Sequence, residues 1–380
     1  MRKIRFLCII VVLSVLTAAM QFTVSAVSDD EISAPSAVLM DQASGEVLYS
    51  KNPHEVRSCA SITKVMTMIL VMEALDSGKI TANEMVTASE HAASMGGSDI
   101  WLEPGEKMTV HDMIKATMVA SANDAAVALA ELICGSEDSF VEEMNKKAKQ
   151  LGMKETVFKN CNGLDEEGHV TSAYDVAVMS RELIKHRKIY EYSGIWMDEL
   201  RAGKTQIVNT NKLLKSYQGI TGLKTGTTSQ AGSCITATAE RNGLGLIAVV
   251  LGSSSGSQRF KDAALLLDHG FAGYMTYSPK TPEEAVTEIA VENGMTKTVK
   301  TTAFVNDRFT VKKGEEKNIK YSVRLPDHVT APVKKGDKIG AIYYTENGKA
   351  VGEYPIKAAE DVKEITLKDI FSLVLKATSA

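Results

Sequence analysis

Three short motifs, in a fixed order along the chain, constrain the fold more than any other feature. Ser61-Ile62-Thr63-Lys64 opens an apolar segment that runs to Leu75, and Ser121-Ala122-Asn123 and Lys224-Thr225-Gly226 follow it. Residues three positions apart share one face of a helix, so a helix from Ser61 onwards brings the Ser61 hydroxyl close to the Lys64 amine. A serine hydroxyl is a poor nucleophile until a neighbouring base takes its proton. The first motif therefore predicts a reactive serine at the first turn of a buried helix.

The lysine of this motif needs particular surroundings before it can act as a base. A lysine that is shielded from water and close to a second cation has a lowered pKa. Lys224, in the third motif, is the candidate for that second cation. The first and third motifs are therefore expected to lie side by side.

The second motif falls on a predicted loop and the third on a predicted strand. Residues 111–134 have a helical pattern that contains Ser121-Ala122-Asn123, which indicates a loop between two helices. Residues 220–227, 233–241 and 244–252 have the pattern of three strands, and Asn242-Gly243 is typical of a type I′ turn between the last two. Gly226 would then allow substrate backbone to approach its strand closely. With a further hairpin over residues 36–50, the pattern predicts an α/β (α+β) domain: an antiparallel sheet flanked by helices, with a helical insert.

The sequence changes character after about residue 280. Short strand-like segments at 299–311, 318–325, 339–345 and 350–356 are separated by turn signals such as Asn347-Gly348. This pattern predicts a separate, small, all-β domain that acts as a spacer. The expected domain limits are 27–275 for the catalytic domain and 280–364 for the β-rich one.

The two ends of the chain predict export and membrane attachment. Arg2, Lys3 and Arg5 precede an apolar stretch, and Val24-Ser25-Ala26 offers small residues for cleavage, so residues 1–26 have the form of a secretory signal peptide. Residues 365–380 form an amphipathic pattern that is too short to span a bilayer but suits a helix lying at its surface. Its apolar face comprises Leu367, Ile370, Phe371, Val374 and Ala377, flanked by Leu373 and Leu375, opposite Lys368, Asp369, Ser372, Lys376 and Ser379. Packing of this helix onto the β domain is the alternative.

Composition argues against several other classes of protein. The net charge is −4 and no basic run is present, so no nucleic-acid partner is expected. The seven histidines are scattered and none has metal-ligand spacing, so neither a metal nor another cofactor is expected, and His54, His111 and His169 are interpreted as surface or capping residues. Cys59, two residues before Ser61, is interpreted as a small buried thiol.

The three motifs together resemble a known enzyme family. The set Ser-x-x-Lys, Ser-x-Asn and Lys-Thr-Gly occurs in penicillin-binding proteins and class A β-lactamases. The flanking segments Arg57-Ser58-Cys59-Ala60, Phe158–Leu164 and Gly222-Leu223 are similar to the low-molecular-weight penicillin-binding proteins, the serine-type D-alanyl-D-alanine carboxypeptidases of the bacterial envelope. The similarity covers roughly residues 35–275 and continues more weakly to the C-terminus. Residues 88–108 resemble the flexible loop near the active site of that family.

The resemblance implies a role for each motif residue. Ser61 would attack the carbonyl of a terminal D-Ala-D-Ala, Lys64 would take its proton, and Ser121 would relay a proton to the leaving amine. Asn123 would hold Lys64 and the substrate amide, and the amides of Ser61 and Thr227 would bind the oxyanion. The substrate-binding residues implied in this way are Asn123, Lys224, Thr225, Gly226, Thr227 and, as a further carboxylate ligand or else a solvated arginine, Arg259.

Other chemistries remain as alternatives. A class A-like β-lactamase shares all three motifs but needs a deacylating carboxylate, usually in Glu-x-x-Leu-Asn, and residues 124–223 contain no such pattern. A noncatalytic sensor that β-lactams acylate is a second alternative. Gly252-Ser253-Ser254-Ser255-Gly256 fits a hydrolase nucleophile elbow, but only His269 and His328 follow it as possible bases.

The implied partners are the peptidoglycan stem pentapeptide as substrate and β-lactams as covalent inhibitors. The C-terminal helix adds the membrane surface as a third partner. The protein is then expected in the cell envelope, at the outer face of the cytoplasmic membrane, or secreted if the helix does not anchor it.

Overall fold

The computed structural model describes residues 30–378, so the predicted signal peptide lies outside the described residues. The chain divides into two compact units, the first ending at Gly273 and the second beginning at Tyr274. The limits predicted from the sequence, 275 and 280, fall a few residues after this division.

The first unit is built around a five-stranded antiparallel sheet. Its order from one edge to the other is Val47–Lys51, Ser36–Asp41, Leu244–Ser253, Gly232–Arg241 and Ile220–Thr228. Two short two-stranded sheets lie outside it, Met85–Thr87 paired with Lys107–Thr109 and Met197–Leu200 paired with Thr205–Val208. The three strands predicted between 220 and 252 and the hairpin near the N-terminus are present.

Helices cover both faces of this sheet. Leu246, in the third strand of the order, packs against Gly270 of one helix, whereas Val249, which points to the opposite face, belongs to the large core on the other side. Side chains are therefore buried on both faces, which explains the continuous apolar run of that strand. The helices span Lys64–Asp76, Glu90–Ala93, Val110–Lys115, Asn123–Cys134, Glu137–Gln150, Ala173–Leu183, Tyr190–Ser193, Leu213–Ser216 and Gly256–Gly273, with 3-10 turns at Ala60–Thr63 and Arg187–Ile189 and a π turn at Ala116–Ala120.

Several of these helices begin at a serine or threonine cap. The hydroxyls of Thr109, Ser136 and Ser172 accept hydrogen bonds from the backbone N–H three residues later, at 3.1 Å in each case. Such caps satisfy amides that a helix would otherwise leave without partners. They fix the start of helices that contribute to the core around the first motif.

The second unit is a β domain, as the sequence predicts. Its six-stranded sheet runs in the order Ile319–Arg324, Lys338–Glu346, Lys349–Ala358, Thr298–Ala303, Glu288–Glu292 and His328–Thr330, with a separate pair of Tyr274–Tyr277 and Phe309–Lys312 and 3-10 turns at Glu283–Ala285 and Glu316–Asn318. The predicted single strand over 299–311 is wrong, because residues 304–308 separate two strands that belong to different sheets.

A helix, Leu367–Thr378, ends the described chain. The exposed fractions of its apolar side chains are 85% for Leu367, 44% for Ile370, 68% for Phe371 and 56% for Val374. The predictions for the side chains of Leu373, Lys376 and Ala377, and for Ser379, lie outside the described part of the structure. Among residues 30–378, no helix combines the length and apolar character that crossing a bilayer requires.

Candidate active site

Ser61 and Lys64 meet where a 3-10 turn becomes an α-helix. The turn covers Ala60–Thr63 and the α-helix begins at Lys64, so Ser61 lies just before the helix and not in its first turn as predicted. The spacing still brings the two side chains together, and Lys64 Nζ lies 3.0 Å from Ser61 Oγ. The predicted contact between hydroxyl and amine is therefore present.

Two fixed acceptors determine how the Lys64 amine is oriented. Its Nζ lies 2.5 Å from Asn123 Oδ1 and 2.6 Å from the backbone oxygen of Asn162. The Asn123 amide nitrogen donates to the Gly96 carbonyl at 2.6 Å, which fixes its oxygen towards the lysine. A neutral amine has two N–H groups and one lone pair, and both N–H groups are used by these acceptors. The lone pair is then left for the proton of the Ser61 hydroxyl.

The surroundings of Lys64 favour that neutral form. Its side chain is fully buried, and burial lowers its pKa to about 7, although the charges of Cys161, Asp99 and Asp124 act in the opposite direction. A lysine with a pKa near neutrality is suited to general-base catalysis.

Ser121 and Lys224 form a second contact of the same kind. Lys224 Nζ lies 2.8 Å from Ser121 Oγ and 3.0 Å from the Thr225 carbonyl oxygen. Ser121 has a left-handed backbone (φ 64°) and lies between the π turn and the helix that begins at Asn123, so the predicted loop between helices is present. Left-handed residues and π turns concentrate at functional sites, where they re-aim side chains.

Lys224 is also fully buried. Its pKa is lowered well below the usual value, first by burial and then by the positive charges of Lys64 and Arg259. The positive charge of Lys64 thus disfavours protonation of Lys224. The lowered pKa of Lys64 itself comes from burial, and not from Lys224 as the second cation that the sequence analysis expected.

The strand with the third motif touches the turn that carries Ser61. A Cβ atom at Gly226 would lie 2.8 Å from the Cys59 carbonyl oxygen and 2.9 Å from the Ser61 nitrogen. The need for glycine here comes first from this contact with the protein's own backbone, which the sequence alone did not indicate.

Thr225, Thr227 and Arg259 surround the end of that strand. Thr225 Oγ1 lies 2.6 Å from Thr210 Oγ1. Arg259 is 8% exposed, and one guanidinium nitrogen donates to the Gly226 carbonyl and to Thr227 Oγ1, both at 2.8 Å. The alternative of a solvated arginine is therefore wrong, because Arg259 supports the strand of the third motif from inside the fold.

Two contributors to the site carry no signal in the motifs. The Asn162 carbonyl binds Lys64, and Asp124 accepts the backbone N–H groups of Ile100 at 3.1 Å and Leu102 at 3.0 Å. Asp124 thereby ties the loop around residues 96–102 to the second motif, and the Asn123 N–H donates to the Ser98 carbonyl at 2.7 Å. The segment 88–108 is thus attached to the site by hydrogen bonds to its backbone.

His169 is buried, contrary to the prediction of a surface or capping residue. It is 4% exposed, its Nε2 lies 2.7 Å from Thr63 Oγ1, and burial lowers its pKa to about 4. Cys59 is a buried thiol as predicted, and burial raises its pKa to about 12, which rules out a reactive thiolate at neutral pH.

Outside this site, the described residues bring together one group of side chains with metal-ligand chemistry, Glu73, Glu182 and His186. Glu73 pairs with Lys147, and Glu182 pairs with Lys185 at 2.5 Å. Both carboxylates therefore already have cationic partners within the protein.

The comparison with protein families agrees with this geometry. Residues 22–255 match the family model described as D-alanyl-D-alanine carboxypeptidase, and residues 274–364 match that of the penicillin-binding protein 5 C-terminal domain. The chain belongs to the D-alanyl-D-alanine carboxypeptidase family. It is a serine-type D-Ala-D-Ala carboxypeptidase, and carboxypeptidases of this family act on peptidoglycan outside the cytoplasm.

Individual relatives support the same assignment along most of the chain. D-alanyl-D-alanine carboxypeptidase DacF of Bacillus subtilis is 46% identical over 335 residues, 87% of this chain and 86% of the relative. DacC of Escherichia coli is 37% identical over 89% of this chain and 87% of its own length. The solved structure of penicillin-binding protein 5 from Haemophilus influenzae has a TM-score of 0.74 at 34% identity, covering 89% of this chain and all of that structure. Penicillin-binding protein D2 from Listeria monocytogenes, solved with ampicillin bound, has a TM-score of 0.59 at 34% identity and covers 64% of this chain and 100% of its own. The predicted family, fold and activity are confirmed.

Proposed function

We propose that Ser61 carries the acyl group and that Lys64 is the base that activates it. The observation that carries this proposal is the pair of fixed acceptors around Lys64, Asn123 Oδ1 and the Asn162 carbonyl. They direct the lone pair of the neutral amine at the Ser61 hydroxyl, 3.0 Å away. Ser61 Oγ then forms a bond to the carbonyl carbon of the penultimate D-alanine while its proton passes to Lys64.

The second contact pair supplies the proton for the leaving group. Collapse of the tetrahedral intermediate breaks the peptide bond, and the departing D-alanine amine must gain a proton. Ser121 can give its hydroxyl proton to that amine, and its contact with Lys224 supports a proton relay through the hydroxyl. Ser121 regains a proton from Lys224, which it contacts. Water then attacks the ester carbonyl carbon and returns a proton to Lys224 through Ser121, and Lys64 gives its proton back to Ser61 Oγ as the ester bond breaks.

The backbone N–H groups of Ser61 and Thr227 are proposed to bind the oxyanion. Such a donor contributes about 3 kcal/mol to stabilising the transition state. The close packing of Gly226 against the Ser61 nitrogen supports this proposal, because it brings the two backbones side by side.

Lys224 and Thr225 are proposed to bind the terminal carboxylate of the stem pentapeptide. A carboxylate arriving beside Lys224 would raise the lowered pKa of that lysine, and the protonated amine would then pair with the substrate. Arg259 contributes positive charge and holds Gly226 and Thr227 in place, with Asn123 available to the substrate amide.

The C-terminal helix is proposed to hold the exported enzyme at the outer surface of the cytoplasmic membrane. Leu367, Phe371 and Val374 follow one face of the helix and are more than half exposed. Twelve residues of helix span roughly 18 Å, which suits an interfacial helix and falls short of the hydrocarbon core. The predicted signal peptide would deliver the protein to that side of the membrane.

The experiment that tests the catalytic assignment compares two serine variants. Ser61→Ala should release no D-alanine from a stem pentapeptide and form no adduct with penicillin, as read by intact-protein mass spectrometry. Ser254→Ala, at the alternative elbow, is the matched control and should behave like the wild type. An adduct on Ser61→Ala would refute the assignment, and rapid turnover of penicillin by the wild type would favour the β-lactamase alternative.

A further inference from the structure

His169 lies in a chain of hydrogen bonds that ends at the residue before the nucleophile. The Lys159 N–H donates to His169 Nδ1 at 3.2 Å, His169 Nε2 lies 2.7 Å from Thr63 Oγ1, and Thr63 Oγ1 donates to the Ala60 carbonyl at 2.9 Å. Thr63 is fully buried, His169 is nearly so, and the histidine lies outside the three sequence motifs.

The direction of each hydrogen bond in this chain follows from the first one. Because Nδ1 accepts from the Lys159 amide, the single proton of the neutral imidazole is on Nε2. Nε2–H therefore donates to Thr63 Oγ1, and the threonine proton is free to be given to the Ala60 carbonyl. The lowered pKa of His169 keeps the ring neutral near pH 7, which this arrangement requires.

The Ala60 carbonyl belongs to the same peptide group as the Ser61 N–H. Ala60 has a left-handed backbone (φ 52°), which is strained for a residue other than glycine. A second contact limits this peptide from another side, since a Cβ atom at Gly163 would lie 2.0 Å from the Ala60 oxygen. The peptide plane is thus held by a directed hydrogen bond at its oxygen and by close packing.

We propose that His169 is a positioning residue for the oxyanion hole, acting through Thr63 to orient the Ala60–Ser61 peptide. Rotation of that peptide would turn the Ser61 N–H away from the developing oxyanion without moving the Ser61 hydroxyl or Lys64. This inference rests on the proposed role of the Ser61 N–H and adds two residues that the motif chemistry does not use.

The test combines kinetics with the infrared absorption of the penicilloyl-enzyme carbonyl. Hydrogen bonds from an oxyanion hole shift an ester carbonyl to lower wavenumber, so the band reports the orientation of the Ser61 N–H. His169→Phe keeps the ring shape without a donor, Thr63→Val keeps the side-chain shape without a hydroxyl, and His169→Gln keeps a neutral N–H donor. Thr238→Val, which removes another fully buried threonine hydroxyl, is the matched control.

His169→Phe and Thr63→Val should each lower kcat about tenfold or more, below the 10²–10³-fold loss seen when an oxyanion donor is removed outright. KM should change little, and the carbonyl band should move to higher wavenumber. The double variant should lose little more than either single one, because both act through one chain of hydrogen bonds. His169→Gln should recover most of kcat and the wild-type band, and Thr238→Val should match the wild type.

An unchanged carbonyl band in both His169→Phe and Thr63→Val would overturn the proposal, whatever happens to stability. A lower melting temperature with wild-type kcat and band would assign His169 to folding alone. If the wild type formed no penicilloyl adduct on Ser61, the proposed function would fail, and the positioning role of His169 would fail with it. If the variants formed the adduct and its carbonyl band were unaltered, only the positioning role of His169 would be refuted.

Discussion

The two lysines of the catalytic motifs, in the first compact unit, and Lys338, in the second, lie in opposite surroundings. In the first unit Lys64 and Lys224 are completely buried, without a carboxylate in salt-bridge contact, and their pKa values are lowered. In the second unit Lys338 is exposed, pairs with Glu353 at 2.9 Å, and that pairing raises its pKa. Burying a charged amine destabilises the folded state, so burial favours the neutral form of Lys64 and Lys224. The exposed Lys338 has no such destabilisation.

The same difference extends to polar groups in general. Among the described side chains of the second unit, Thr301 is the one polar residue that is fully buried, whereas the first unit buries several around its three motifs. The burial of polar residues therefore predicts that catalysis depends on the first unit and that the second has a structural role. Paired substitutions in the two units test this distinction.

The largest expected effect is that of removing the base. Lys64→Ala should lower acylation of Ser61 by penicillin and release of D-alanine by about 10²–10⁴-fold, the usual contribution of a general base. Lys338→Ala in the second unit should leave both rates unchanged. Stopped-flow acylation and D-alanine release measure the two effects, and near-normal acylation by Lys64→Ala would require another base.

A glycine pair should give the next largest effect. Gly163 (φ 87°) and Gly348 (φ 84°) both have left-handed backbones, but a Cβ at Gly163 would clash with the Ala60 carbonyl, whereas Gly348 faces open space. Gly348→Ala should cost about 1 kcal/mol of unfolding free energy through backbone strain alone. Gly163→Ala should cost more and should also lower kcat, because the Ala60–Ser61 peptide must move. Denaturant unfolding and D-alanine release, measured side by side, check this, and equal losses in both variants would contradict it.

A smaller effect is expected on the pH dependence of acylation. Only neutral Lys64 can take the serine proton, so the rate should rise about tenfold per pH unit below pH 7 and level off above it. The negative charge of Asp99 raises the pKa of Lys64, so Asp99→Asn should move this limb to lower pH. Asp307→Asn, which removes the acceptor of the Tyr354 hydroxyl in the second unit, is the control and should leave the profile in place. If the rising part of the pH–rate profile did not move in Asp99→Asn, a group other than Lys64 would control the pH dependence of acylation.

The smallest effect on catalysis is expected from the C-terminal helix. Protein ending at Thr366 lacks the helix but keeps the buried Val362 and its backbone pairing with Val333. It should hydrolyse a soluble pentapeptide at the wild-type rate but should no longer sediment with phosphatidylglycerol vesicles. Phe371→Glu, which places a charge on the apolar face of the intact helix, should also weaken sedimentation. If the full-length mature protein does not sediment either, the proposed anchor is wrong.

The parts of the site that follow from side-chain spacing were predictable from the sequence. Ser61 and Lys64 are three residues apart, and Lys224 lies in the first of three strand-like segments, the last two of which are joined by an Asn-Gly turn. Local rules therefore suffice for both. The Asn162 contact could not be predicted, because a backbone carbonyl is present at every residue and gives no signal of its own. His169 was misplaced for a related reason: it follows the polar run Asp165-Glu166-Glu167, and its burial depends on a contact with Thr63, far away in the sequence.

The fold shows the same division. In the second unit the strands near 318–325, 339–345 and 350–356 were predicted, including the hairpin across Asn347-Gly348, because alternation and turn signals are local features. The strands Tyr274–Tyr277, Glu288–Glu292 and His328–Thr330 were not predicted. The interruption at 304–308 and the parallel pairing of Glu288–Glu292 with His328–Thr330 depend on which distant strand each segment meets. Tertiary packing determines which strands pair, and the sequence pattern of a single segment contains little information about its partner.

The loop between Val157 and Val170 has a consequence for how the enzyme can lose activity. Reciprocal backbone hydrogen bonds at 2.9 and 3.0 Å close it, and it supplies the Asn162 carbonyl, Gly163 and His169 together. A single local opening of this loop would remove all three at once while the sheet stayed folded. Amide hydrogen exchange at Val157 and Val170 would therefore measure the fraction of native molecules that are momentarily inactive, and a ligand that slows this exchange would be acting on the population of competent enzyme.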